Sequence, residues 1–111
     1  MADVLGTLEQ AVLLAVLRLG EEAYGRAILK EVQLRLERDV AAGAVHATLE
    51  RLERKRLLSS RLAPGTPVRA GRARQYYLVR PAGIRALDDA RRAVYRIWGG
   101  LKWPQIKART V

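Results

Sequence analysis

The side chains in this chain best equipped to do chemistry are its arginines. Twenty-one basic residues stand against eleven acidic ones, for a net charge of +10. Their placement is uneven. Residues 1–50 carry five basic and eight acidic groups, whereas residues 51–111 carry sixteen and three. Between Arg51 and Arg85, ten basic residues accompany a single acid, Glu53. A one-sided cationic field attracts polyanions, nucleic acid first among them. Other chemistries lack their parts. The chain has no cysteine and one histidine, His46, so thiolate, disulfide and histidine-based metal sites have no ligands. No nucleophile or paired carboxylate accompanies His46, and Asp88 and Asp89, adjacent on a helix, point apart. Neither catalysis nor a bound cofactor or metal is expected.

These cations need a scaffold, and 111 residues provide one domain with a modest core. The longest apolar run, Ala11 to Leu17, has seven residues, far short of the ~18 that a membrane span needs. It follows Asp3, Thr7 and Glu9 rather than a basic stretch, so a signal peptide is not expected either, and the expected location is the cytoplasm.

The hydrophobic period divides the chain into six elements. A first helix should begin at a Thr7/Gln10 capping box and end at Gly20. Its apolar residues, Leu8 to Leu19, fill nearly every face, and a helix of that kind must be covered on every side. A second helix, Ala23 to Leu36, places Tyr24, Ile28, Val32 and Leu36 on one face. Residues 37–40 form a connector with room for one short strand. A third helix, Ala42 to Arg56, turns Val45, Leu49 and Leu52 inward, which puts Gly43, Ala44, Ala47, Glu50, Arg51 and Arg54 on the opposite side. That outer face starts with small residues and ends in cations, as a helix pressed into a nucleic-acid groove requires. Two short strands, Leu57 to Leu62 and Ala73 to Val79, flank an exposed, flexible loop rich in turn residues and bearing Arg69 and Arg72. Pro81 opens a last helix, which Gly99-Gly100 stops near Trp98. A basic tail follows.

Helix, helix, helix, hairpin, helix is the order of a winged helix-turn-helix with a further helix behind it. The fold class is therefore mainly α with a small β-hairpin wing. Several segments carry a more specific likeness. Leu13-Leu14-Ala15-Val16-Leu17, Ala23-Tyr24-Gly25-Arg26-Ala27-Ile28, Gly43-Ala44-Val45-His46-Ala47-Thr48-Leu49-Glu50-Arg51-Leu52-Glu53 and Gly71-Arg72-Ala73-Arg74-Gln75-Tyr76-Tyr77, with Pro81-Ala82-Gly83 behind them, occur in order and at the right spacings. Together they resemble the PadR-like transcriptional regulators, over roughly Gly6 to Leu87. Four positions depart from the family pattern. His46 replaces a tyrosine on the third helix, Ala41 a serine cap, Arg56 a glycine before Leu57-Leu58, and Arg80 a threonine cap.

The resemblance implies a DNA-binding transcriptional regulator, most simply a repressor at an inverted-repeat operator. The other reading within the same fold is a protein- or RNA-interaction module without operator binding. Double-stranded DNA would meet Ala42, Gly43, Ala44, His46 and Ala47 at the helix tip. Arg51, Arg54 and Lys55 would lie on phosphates, and Arg69, Arg72 and Arg74 would serve as wing contacts. Residues 1–80 would form the DNA-binding domain, 81–98 a dimerisation helix and 99–111 the basic tail. The resemblance also implies a homodimer, in keeping with the first helix's excess apolar surface; Leu13, Val16, Ile84, Leu87, Val94 and Trp98 are its expected interface. Two recognition helices would then lie about one DNA turn, ~34 Å, apart. Trp98 and Trp103 offer flat faces to a small aromatic effector, with Arg91 or Arg92 on its anionic group.

Overall fold

Gly6, extended at the head of the first helix, sets where the chain turns helical. Its N–H donates to Glu9 Oε1 at 3.1 Å, and α1 runs Thr7–Leu19. The cap therefore lies one residue earlier than the Thr7/Gln10 spacing implies. Glu9 makes the side-chain bond, and the Gln10 amide donates instead to the Leu5 carbonyl at 2.9 Å. A computed structural model describes residues 4–101. Its further elements are α2 (Gly25–Leu36), α3 (Ala42–Arg54), β1 (Leu58–Ala63), β2 (Arg74–Val79) and α4 (Pro81–Trp98), with 3-10 turns at Gly20–Glu22 and Pro67–Arg69. This is the winged-helix order expected from the sequence.

Helix α1 is the centre of the core. Val12, Leu13, Ala15 and Val16 are buried, and Ile28 and Val32 of α2, Val45, Leu49 and Leu52 of α3, Leu58 of β1 and Tyr77 of β2 share the same cluster. Leu13 and Val16, expected at a subunit interface, are consequently used up inside the protomer. The apolar surface that α1 leaves to solvent is Leu14 and Leu17.

Strands β1 and β2 pair antiparallel, with Leu58 opposite Val79 and Ala63 opposite Arg74. A third, minimal strand lies on the other edge of β2. Tyr24 bridges Tyr76, and the Tyr77 N–H donates to the Ala23 carbonyl at 2.9 Å. The periodicity of Tyr24, Ile28, Val32 and Leu36 draws Ala23 and Tyr24 into the second helix, but the pairing with β2 keeps both out of it, with Tyr24 extended. The connector at 37–40 contains no strand; Glu37 is left-handed, and the Gln33 amide donates to the Val40 carbonyl at 3.0 Å.

The wing loop is more ordered than its composition implies. Besides its 3-10 turn, the Gly71 N–H donates to the Thr66 carbonyl at 2.8 Å. A Cβ at Gly65 would overlap the Gly71 carbonyl, so the two arms of the loop run in backbone contact. Helix α4 packs only through its first half, with Gly83 and Ala90 buried. Beyond Ala90 it is exposed on nearly every face.

Arg56 and Gly83 respond to a Cβ in opposite senses. The C-terminus of α3 closes in a Schellman arrangement, in which the Arg56 N–H donates to the Glu53 carbonyl and the Leu57 N–H to the Leu52 carbonyl, both at 2.9 Å. That motif forces Arg56 to φ 63°, a conformation costing ~1–2 kcal/mol for a residue with a Cβ. Arg56→Gly is expected to stabilise the chain by about 1 kcal/mol after the loss of unfolded-state restriction, read as a rise in thermal midpoint. Gly83 has the opposite sensitivity, since a Cβ there would stand 2.5 Å from the Leu57 carbonyl oxygen and 2.7 Å from Val79 Cγ1. Gly83→Ala is expected to destabilise by ~1–3 kcal/mol in denaturant titration, as overpacking does.

Candidate nucleic-acid interface

The outer face of α3 follows from its inner one. With Val45, Thr48, Leu49 and Leu52 buried, Ala42, Gly43, Ala44, His46, Ala47, Glu50 and Arg54 all stand in solvent. Thr48 turns its hydroxyl back to the Ala44 carbonyl at 2.8 Å, which removes it from the surface. Ala41 at the N-cap offers no side chain, and no side-chain hydrogen bond replaces it. The exposed tip is small, polar at only a few points, and able to approach another surface closely.

The three cations of this helix are not equivalent. Glu9 Oε2 lies 3.1 Å from Lys55 Nζ and 3.4 Å from Arg51 Nε, so one carboxylate of α1 engages both. Arg51 also donates to Thr48 Oγ1 at 3.3 Å. Arg54 is exposed and makes no ion pair among the described residues. Burial pushes the Glu9 carboxyl up, but its bonds from Gly6, Lys55 and Arg51 outweigh that and hold it below the ordinary 4.5. Arg51 and Lys55 are thus partly neutralised structural cations, and Arg54 is the one ready for a phosphate.

On the wing, Arg69 turns inward, donating to the Pro64 carbonyl and, at 3.2 Å, to the Arg72 carbonyl. Its guanidinium braces the loop, although the sequence reading placed it outward. Arg72 is exposed and makes only a long bond, 3.4 Å, to the Arg69 carbonyl. Arg74 lies over the Tyr24 ring at 3.9 Å, Tyr24 meets Tyr76 edge-on at 5.9 Å, and Arg61 lies over Tyr76 at 4.9 Å. This stack joins the root of the wing to the start of α2. Tyr77 is buried, which raises its hydroxyl pKa, and the nearby Glu53 and Glu50 charges add to the shift.

Between α2, α3 and the wing runs an open groove of about 780 Å³, with Val45, Leu49 and Tyr77 along its floor. Arg69, Arg72, Arg74 and His46 border it, together with Arg26 from the first turn of α2. Sequence reasoning missed Arg26. Its place near the start of the second helix, on the side away from Ile28 and Val32, was the available signal. Arginines border the groove from both α2 and the wing, which suits it to a polyanion.

Residues 13–89 match the Transcriptional regulator PadR-like family. The chain belongs to that family. PadR-like members are DNA-binding transcriptional regulators. Solved structures agree on the fold. A PadR family regulator from Eggerthella lenta DSM 2243 is 26% identical with a TM-score of 0.63, over 81% of this chain and 76% of that one. One from hypervirulent Clostridium difficile R20291 is 22% identical with a TM-score of 0.63, over 84% and 95%. BpsR of Bordetella bronchiseptica, whose DNA binding is regulated by 6-hydroxynicotinic acid, is 19% identical with a TM-score of 0.59, over 95% and 74%. No curated protein matches the chain. None of the described helices is long and apolar enough to cross a membrane, and the described residues contain no group of metal-ligating side chains.

The cation inequality predicts unequal substitutions in this PadR-like regulator. Arg54→Ala and Arg72→Ala are expected to weaken binding to all duplexes about alike and to lower the salt slope by roughly one unit each, with unchanged thermal stability. Arg51→Ala is expected to lower stability as well, because it strips a partner from Glu9. An unchanged slope in Arg54→Ala would remove it from the interface. The acid limb offers a second check. Since the folded pKa of Glu9 is depressed, its contribution is present above about pH 4.5 and is lost as pH falls through the lower folded value. Glu9→Gln is expected to be less stable near neutrality and to show a shallower loss of stability on acidification.

Proposed function

We propose that this regulator works as a homodimer that occludes promoters at inverted-repeat operators, one α3 per half-site. Residues 1–80 form the DNA-binding domain, 81–98 the dimerisation helix and 99–111 a basic tail. The observation that carries the dimer is the outer face of α4. Ile84, Val94, Ile97 and Trp98 are exposed large apolar residues on one helix, Ile97 at 78%. Leaving such a stripe in water forgoes ~25 cal/mol per Å² of apolar area, and a second copy supplies the cover. Leu14 and Leu17 on α1 extend the surface. Leu87 is half-buried against the protomer's own core, so it belongs to the interface only by its outer edge.

Paired subunits also give the affinity a reason to be steep. Two interfaces on one duplex multiply, and each adds displaced counterions to the salt dependence. A small planar aromatic effector fits the same surface, docking on Trp98 between subunits; BpsR, of the same fold, is regulated by such a molecule. Arg91 and Arg92, the expected anion holders, both pair with Asp88, at 2.7 Å and 2.9 Å, so an acidic ligand would compete with that carboxylate. Trp103, the other expected stacking face, lies outside the described residues.

Removing α4 is a poor test, because Gly83, Leu87 and Ala90 pack into the core. Val94→Asp with Ile97→Asp alters only exposed positions. The parent is expected to sediment as a dimer and to bind a two-half-site duplex much more tightly than a single half-site. The double variant is expected to be a folded monomer that binds both duplexes equally weakly. A dimeric double variant, or a parent indifferent to the second half-site, would overturn the proposal.

A further inference from the structure

Two polar side chains stand together on the outer face of α3. His46 and Glu50 stand one helical turn apart, with His46 Nε2 3.3 Å from Glu50 Oε1 and side chains 69% and 55% exposed. An exposed pair at this spacing adds little to stability. Around them Ala42, Gly43, Ala44 and Ala47 carry no hydrogen-bonding side-chain group, and Thr48 is committed to the Ala44 carbonyl. From Ala42 to Glu50, these two are therefore the surface side chains that can donate or accept.

A carboxylate facing a phosphate-lined groove is repelled unless it meets a donor there. It can only accept. In the major groove, cytosine presents an exocyclic amine and no acceptor of its own; adenine sets N7 beside its amine, and guanine and thymine present acceptors. An ionised Glu50 is thus mismatched to every base but cytosine. His46 Nε2 stands beside one carboxylate oxygen of Glu50, close enough to bias the direction of its side chain.

We propose that Glu50 is the specificity-determining residue of α3, accepting a hydrogen bond from the N4 amine of a cytosine in each half-site, with His46 as its positioning residue. This rests on α3 lying in the major groove, as proposed above.

The test is selection of bound duplexes from a random library with the parent, Glu50→Gln, Glu50→Ala and His46→Ala, each checked by thermal melting. The parent is expected to require a C·G pair at one position per half-site, by about tenfold or more over other pairs. Glu50→Gln is expected to switch that position to adenine, which glutamine contacts through N6 and N7. Glu50→Ala is expected to keep the rest of the half-site and lose the preference there. His46→Ala is expected to keep cytosine but discriminate less; undiminished discrimination would overturn its positioning role. If both Glu50 variants select the parent's base at every position, the Glu50 assignment is wrong while the groove placement stands. A parent that selects no sequence overturns both.

Discussion

Everything this molecule presents to solvent depends on how α3 is clamped against α1. Val45, Leu49 and Leu52 give the helix one permitted orientation, and Glu9 fixes its far end by holding Arg51 and Lys55. The contact is hydrophobic in its energy and ionic in its register. With the inner face settled, the outer face is settled too, since the 100° step between residues leaves no freedom over which side chains look outward. The same α1 carries the exposed Leu14 and Leu17, so one helix serves the core, the orientation of α3 and part of the apolar surface.

Charge in this chain is divided between structure and display. A count of cations between Arg51 and Arg85 treats them as equivalent, but Arg51 and Lys55 answer a carboxylate, Arg69 answers loop carbonyls and Arg74 sits on a tyrosine ring. Arg69 and Arg74, whose partners are neutral, still add to the long-range field, whereas the Glu9 carboxylate offsets part of the charge of Arg51 and Lys55. Short-range phosphate contact demands a guanidinium with bonds to spare; among the cations expected at the interface that leaves Arg54 and Arg72, with Arg26 across the groove.

The architecture was legible because it is written in periods and punctuation. Pro81 and Gly99 bracket the last helix as the sequence implies, and the stripe of α3 is read from spacing alone. What escaped was non-local. Tyr24 reads as helical by its spacing to Ile28, and only the partner strand at Tyr76 holds it extended. Leu13 and Val16 could not be assigned to core or interface without knowing which side α2 and α3 cover. Glu9 lies 42 residues from Arg51, and no local pattern announces that pairing. Arg56 is the contrary case, where a departure from the family's glycine correctly marked a strained left-handed position.

The backbone contact between Gly65 and Gly71 has a consequence for what a wing can sense. A limp loop conforms to whatever surface it meets and pays its ordering entropy at that moment. This loop has already met that cost during folding, through its 3-10 turn and the Arg69 brace. Set against a duplex, it would present a width fixed in advance, like a gauge. A gauge of fixed width rewards grooves that match it and penalises those that must be pried open or squeezed. Base sequence enters that balance through the stiffness of the DNA, at positions that no side chain touches.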